Sequence, residues 1–357
     1  MKTEKFLNAL NDIDGQFIRE AHEEKAQPRR AGHRRFGVLI AAVVALMALT
    51  VTAFAAEDIA GWFRNYFADR SGTDLSTGQI EYIEENEQII SETQENSGYS
   101  LNLKSVLSDG NLTYITLGVT APADVTADDL ADLSCMGIDF YDQNKQPCSS
   151  YTMEKCDDGD GLDNTVDLVF AMEPGNWNAG GSWTLRFSRL VKRVHDEAYE
   201  RELLETKYTG MTDFMFTDEE ASRIYQEIVL AEGNWVFTFD LNNNEIQQLE
   251  LITDPVTAQS CYGYKADGTE MFEQVEITSF ILRPMSAVIS AESAWGALDF
   301  SDNSSRPIYV VMKDGSRIQL YTSYGAPNEA HLTAESPIVL EEVDHVLLSD
   351  GTKLMAP

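Results

Sequence analysis

From Gly37 to Ala56 the chain reads GVLIAAVVALMALTVTAFAA, twenty residues without a charge. A helix of that length, rising 1.5 Å per residue, spans roughly 30 Å, the thickness of a bilayer's hydrocarbon core. Lys25, Arg29, Arg30, Arg34 and Arg35 precede the run with no acid between Lys25 and Phe36, and Glu57 and Asp58 follow it. Positive charge stays cytoplasmic, so a single pass is expected, with the N-terminus inside and the C-terminal bulk outside the cell. Arg34 and Arg35 on one side and Trp62 and Tyr66 on the other are the expected membrane-interface residues. Trp62, Phe63, Tyr66 and Phe67 recur at helical spacing, as an aromatic belt would. A cleaved leader is the alternative, with Ala53-Phe54-Ala55 as an A-x-A site. The 36 residues ahead of the run carry a patterned helix of their own and favour the uncleaved anchor.

Charge is divided unevenly about this run. Residues 1–36 hold eight Lys/Arg and six Asp/Glu, whereas the remainder holds 18 basic and 53 acidic residues, a balance of −35. An outer part so acidic repels phosphate and does not bind nucleic acid directly. Its four cysteines, Cys135, Cys148, Cys156 and Cys261, all follow the run, where disulfides persist. A hairpin turning at Lys145-Gln146 would set Cys135 opposite Cys156, within bonding reach. No CxxC or His cluster suggests zinc. Asp157, Asp158, Asp160 and Asp163 form the densest acidic group, but the spacing departs from a calcium loop, and a solvated turn is the preferred reading. No metal or cofactor is expected.

Inside, residues 4–24 place Phe6, Leu7, Leu10, Ile13, Phe17, Ile18 and Ala21 at spacings of three and four, one apolar stripe on a helix. A lone helix of this length is marginal in water, so the stripe calls for a cover: a protein partner, a second copy or the inner membrane leaflet. Residues 25–36 form a basic linker.

Outside, residues 57–97 read as a polar helical stalk. From Gly98 the period becomes two, and Ser108-Asp109-Gly110-Asn111 separates YSLNLKSVL from LTYITLGV as a hairpin turn would. Further strands are expected at Met136–Tyr141, Thr165–Met172, Ser182–Leu190 and Trp235–Leu241, with helices near Asp196–Glu205 and Asp218–Ala231. After a boundary near Asn242–Glu250, strands follow at Val275–Leu282, Ile308–Met312, Arg317–Tyr321, Val339–Leu348 and Thr352–Leu354. The expected class is therefore mainly β. Two antiparallel sandwich-like domains, 98–245 and 246–357, lie outside the membrane, the first with helical insertions.

The sequence contains no G-x-S-x-G, P-loop, H-E-x-x-H or Rossmann glycine fingerprint, so an enzyme is not expected. His195, His331 and His345 are scattered. FLNALNDIDGQFIREA, the basic linker and one anchor ending AFAA resemble the membrane-anchored anti-sigma-factor-like proteins of Gram-positive bacteria. GYSLNLKSVLSDGNLTYITLGV, AEGNWVFTFDL, VEITSFILRPMSAVIS and IVLEEVDHVLLSDGTKL resemble that family's outer part, a β-rich domain of unknown function. The resemblance implies a cytoplasmic extracytoplasmic-function sigma factor as partner. Zinc-type anti-sigma domains carry a His and two Cys in the inner segment; this chain has no Cys there, so sequestration would fall to the amphipathic helix. The competing expectation is a surface or wall-associated binding protein whose inner segment is only a topogenic tail.

Overall fold

The computed structural model describes residues 61–357 apart from 131, 148–149, 157–163, 174–180, 210–214, 242–246, 253, 265–269, 294–297, 299–306 and 327. The stripe from Phe6 to Ala21, Arg34, Arg35 and the uncharged run at 37–56 lie outside the described residues, as do Cys148 and the Asp157–Asp163 cluster. Among the described residues, no helix is long and apolar enough to cross a membrane.

The stretch expected to be a helical stalk is two short helices and a strand: α1 (Trp62–Ser71), α2 (Thr77–Asn86) and β1 (Gln88–Asn96). Gly72, at φ 64°, ends α1 in the left-handed region, a position that glycine occupies without strain. Ser76 and Gln79 close a capping box at the start of α2. Helix ends at Glu87, and Ile89 and Ile90 belong to the strand. Their spacing from Ile80 and Ile83 mimics a helical stripe, but pairing with β2 (Tyr99–Ser108) overrides it.

Among the described residues, every strand pairing is antiparallel. One sheet has the order β1-β2-β3-β7-β6, with β3 at Thr113–Thr120, β6 at Ser150–Cys156 and β7 at Thr165–Glu173. The second groups β4 (Leu133–Met136), β5 (Asp139–Asp142) and β9 (Tyr225–Leu241) around the long β8 (Gly181–His195). Alternate residues of the two sheets share one core: Leu101, Leu103, Ile115 and Leu117 meet Leu185, Phe187, Trp235 and Phe237. This is a two-sheet sandwich, with α1 and α2 on the outer face of the first sheet through Phe63, Phe67 and Ile83.

The open edge of β9 is partly closed by side chains instead of a strand. The Gln94 side-chain amide donates to Val236 O at 2.6 Å and accepts from Val236 N at 3.3 Å, as a peptide group would. Gln88 donates to Asp240 O and Ser97 to Glu232 O.

The remaining strands form one continuous sheet instead of two. They are β10 (Leu249–Glu250), β11 (Val256–Tyr264), β12 (Glu270–Leu282), β13 (Ser286–Glu292), β14 (Ile308–Met312), β15 (Arg317–Ala326), β16 (Glu329–Ala334), β17 (Val343–Leu347) and β18 (Lys353–Met355). The order is β10-β12-β13-β16-β15-β14-β17-β18, with β11 also on β12. Gln259 N on β11 donates to Asp350 Oδ2 beside β18, so the sheet curls until its ends meet around one core.

Between β8 and β9 the chain builds a small head from α4 (Glu197–Thr206) and α5 (Asp218–Ile224), the short α3 lying earlier at Ala127–Leu130. The helix expected to run to Ala231 stops at Ile224, where Tyr225 opens β9. The head's centre is Glu220, whose carboxylate accepts from Lys207 Nζ and Tyr208 OH, each at 2.7 Å, and from Thr217 N at 2.9 Å. The Lys207 hydrogen bond first, then that of the Thr217 backbone, hold its pKa down at about 2. A depressed carboxylate stabilises the fold above its ordinary pKa and loses that contribution as pH falls toward the folded value. Amide protection of α4 is therefore expected to fall between about pH 4.5 and 2, measured by hydrogen exchange. Glu220→Gln should flatten that dependence.

Candidate functional site at the joint of helices and sheets

The outer face of the first sheet gathers the groups that fix α1. Phe63, Tyr66 and Phe67 are buried with Leu107, Leu112, Tyr114, Val169 and Met285. Phe63, Tyr66 and Phe67 pack on protein, and Trp62, expected with Tyr66 at the membrane interface, is half-buried against the same cluster. Trp62 Nε1 donates to Asp167 Oδ2 at 2.9 Å, and Lys104 Nζ donates to the same oxygen at 2.7 Å. Asp167 is only 1% exposed, so the ammonium and the indole compensate a charge taken out of water. Lys104 reaches it across Gly118, where a Cβ would stand 2.8 Å from Lys104 Cε. Any larger residue there would push the two charges apart.

A second set of contacts lies one helical turn on. Tyr66 OH donates to Glu154 Oε2 at 2.9 Å, and Arg70 Nη1 donates to the oxygens of Tyr66 and Tyr114 at 2.8 and 3.3 Å. Burial raises the Tyr66 phenol above its ordinary value and pushes Tyr114 up to about 12, so both remain protonated at neutral pH. Burial also raises the carboxyl of Glu87, at the end of α2.

The same helices hold the curled sheet. Asp109 is buried at the β2–β3 turn, where its Oδ1 accepts from Asn111 N and Leu112 N at 2.9 and 2.8 Å. Its Oδ2 accepts from Met285 N at 3.0 Å and Ser286 Oγ at 2.8 Å, across to β13. Gln79, besides capping α2, donates to Ser336 Oγ and Pro337 O at 3.1 and 2.6 Å. Beside it lies a cleft of about 500 Å³ between the α1–α2 connection and the β14–β15 hairpin, lined by Ser71, Thr73, Asp74, Asp314, Arg317 and Glu335 among others.

The remaining expected sites fare differently. Cys135 lies in β4 opposite Leu190 and Cys156 in β6 opposite Asp167, so they belong to different sheets and both are thiols. The hairpin that would have paired them stops at the Tyr141–Pro147 bridge, because β5 pairs with β8 and β6 with β7. Burial pushes each thiol up to about 12. His195 Nε2 lies 2.8 Å from Glu200 and its ring stacks on Tyr225; His345 is buried with Nδ1 2.7 Å from Asp344. Among the described residues, no three His, Cys, Asp or Glu converge as metal ligands.

No protein-family model matches the chain, and no curated protein does. Among solved structures, the crystal structure of the conserved domain protein from Bacillus anthracis is similar at 13% identity, with a TM-score of 0.43 over 78% of this chain and 81% of that one. A likeness at that level fixes neither family nor function. α1 and α2 contact both β-rich halves through one apolar cluster and a set of buried hydrogen bonds. Sequence reasoning missed Asp109 and Gln79. The Asp-Gly turn and the Ser-x-x-Gln spacing announce a cap at each place, but neither announces the second, long-range partner.

Proposed function

We propose that the protein is a single-pass membrane regulator whose inner helix binds an extracytoplasmic-function sigma factor and whose β-rich body receives a signal outside the cell. The observation that carries the reading is the stripe Phe6, Leu7, Leu10, Ile13, Phe17, Ile18 and Ala21, placed on the basic side of an uncharged run of twenty residues. A topogenic tail needs no ordered apolar face. Six large apolar side chains, each worth roughly 1.5–3 kcal/mol when buried, offset the cost of ordering and docking the helix and leave micromolar or tighter affinity. The anionic membrane surface is a poorer cover, because Asp12, Asp14, Glu20, Glu23 and Glu24 repel it. The docking of α1 supports the same reading from the other side, since the helix nearest the run is fastened to the body. The ligand received outside is a separate matter.

Ile13→Asp combined with Phe17→Asp in the full chain tests the proposal. Two lost anchors of about 2–3 kcal/mol each should weaken sigma-factor retention by at least a thousandfold while membrane insertion is unchanged. A double variant that still co-purifies with the sigma factor and still represses its genes would transfer support to the surface-binding alternative.

A further inference from the structure

Nine large hydrophobic residues are exposed among those described, and five of them fall in one segment: Leu204, Met215, Tyr225, Ile228 and Val229. Tyr225, Ile228 and Val229 begin β9, which pairs with β8 alone. The inner half of β9's other edge is occupied by Gln88, Gln94 and Ser97 at Asp240, Val236 and Glu232. Those side chains do not reach the outer half, where residues 225–229 are all exposed. Natural edge strands are blunted by charge, proline, bulges or short length. This one is 17 residues long, contains neither lysine nor proline, and reaches its first bulge only at Leu230, so Tyr225–Val229 run in unbroken register with a single charge, Glu227. An exposed apolar patch on an unguarded strand edge marks an interaction surface.

We propose that the outer edge of β9, from Tyr225 to Leu230, accepts an extended, positively charged segment of another polypeptide as an added strand. Backbone pairing supplies affinity and alternate side chains supply selectivity in this mode of recognition. Charge selects the occupant. The head and the start of β9, residues 196–227, carry ten acidic and three basic residues. A cationic segment with alternating apolar side chains meets that field favourably and sets its apolar side on Ile228 or Val229. A second copy brings a net charge of −33 to meet −33 and is disfavoured. An anionic lipid surface is disfavoured for the same reason. The inference is independent of the sigma-factor reading, since it concerns only the described body.

The probe is an end-blocked, fluorescein-labelled peptide of alternating lysine and valine, about eight residues long, long enough to cover six strand residues. It is titrated by anisotropy against the full chain in nanodiscs, beside a glutamate–valine peptide and a lysine–valine peptide N-methylated at alternate residues. The lysine–valine peptide is expected to bind at micromolar concentration, with each control at least about tenfold weaker. Ile228→Lys combined with Val229→Lys should weaken binding by a similar factor with the thermal melt unchanged. If that variant folds poorly, hydrogen exchange on the parent protein decides, because bound peptide must protect amides within 225–230. No binding, equal binding of the N-methylated peptide, or protection confined to other segments overturns the proposal. So does a parent chain that sediments as a dimer and becomes monomeric in the double variant, which would make a second copy the occupant.

Discussion

Asp109→Ala is expected to cost about 4 kcal/mol and to loosen the two β-rich halves from each other. The carboxylate is 6% exposed and accepts four hydrogen bonds, two within its own turn and two from Met285 and Ser286. Removing it leaves those donors unmatched in a dry joint, and each buried unsatisfied donor costs roughly 1–3 kcal/mol before relaxation. Urea unfolding followed by tryptophan fluorescence should show a lower midpoint and a transition broadened or split as the halves lose their cooperativity. Ser286→Ala removes a single donor and should cost only about 1 kcal/mol. An Asp109→Ala transition that stays single and sharp would mean that Asp109 serves its own turn alone.

Phe63→Ala should be almost as severe, at about 3–5 kcal/mol, the range for emptying a fully buried phenylalanine site. The ring is 0% exposed and touches both Phe67 and Tyr114 edge-on or stacked. The site is walled by β-sheet residues that cannot follow a shortened side chain, so a cavity remains. The full chain in detergent is the right sample, because a phenylalanine held by lipid would leave the body's unfolding midpoint unchanged. An unchanged midpoint would therefore restore the aromatic-belt reading of α1.

The mainly β, antiparallel character of the chain was legible because its punctuation is local. Ser108-Asp109-Gly110-Asn111, Lys313-Asp314-Gly315-Ser316 and Asp350-Gly351 each sit between paired strands, and Gly315 and Gly351 take the positive φ that such turns require. Errors arose where one residue set suits two periods. Ile80, Ile83, Ile89 and Ile90 fit a helix until pairing with β2 takes Ile89 and leaves Ile90 in the adjoining bulge. Asp218–Ala231 reads as helix until the branched residues Ile228 and Val229 are pulled into β9. Met136–Tyr141 reads as one strand, but Gly137 at φ 61° breaks it, and its two parts join β8 at different places. The cysteine pairing failed for a related reason. Hairpin arithmetic assumes that the strands flanking Lys145-Gln146 pair with each other, whereas β4 and β5 join the distant β8 and β6 joins β7, the next strand along. Of the joint, only the Ser108–Asn111 turn was visible. Trp62 and Tyr66 were identified as important residues with the wrong surroundings, because aromatic spacing does not distinguish a lipid surface from a sheet.

The glutamine that imitates a peptide group on β9 also acts as a ruler. A strand laid along the outer edge from Tyr225 advances about 3.3 Å per residue and meets the Ser97 hydroxyl at Glu232 after roughly 23 Å. Further growth must displace Ser97 and then break both hydrogen bonds of Gln94, each step returning polar groups to competition with water. Addition therefore ends at about seven residues, which sets the length of any guest strand.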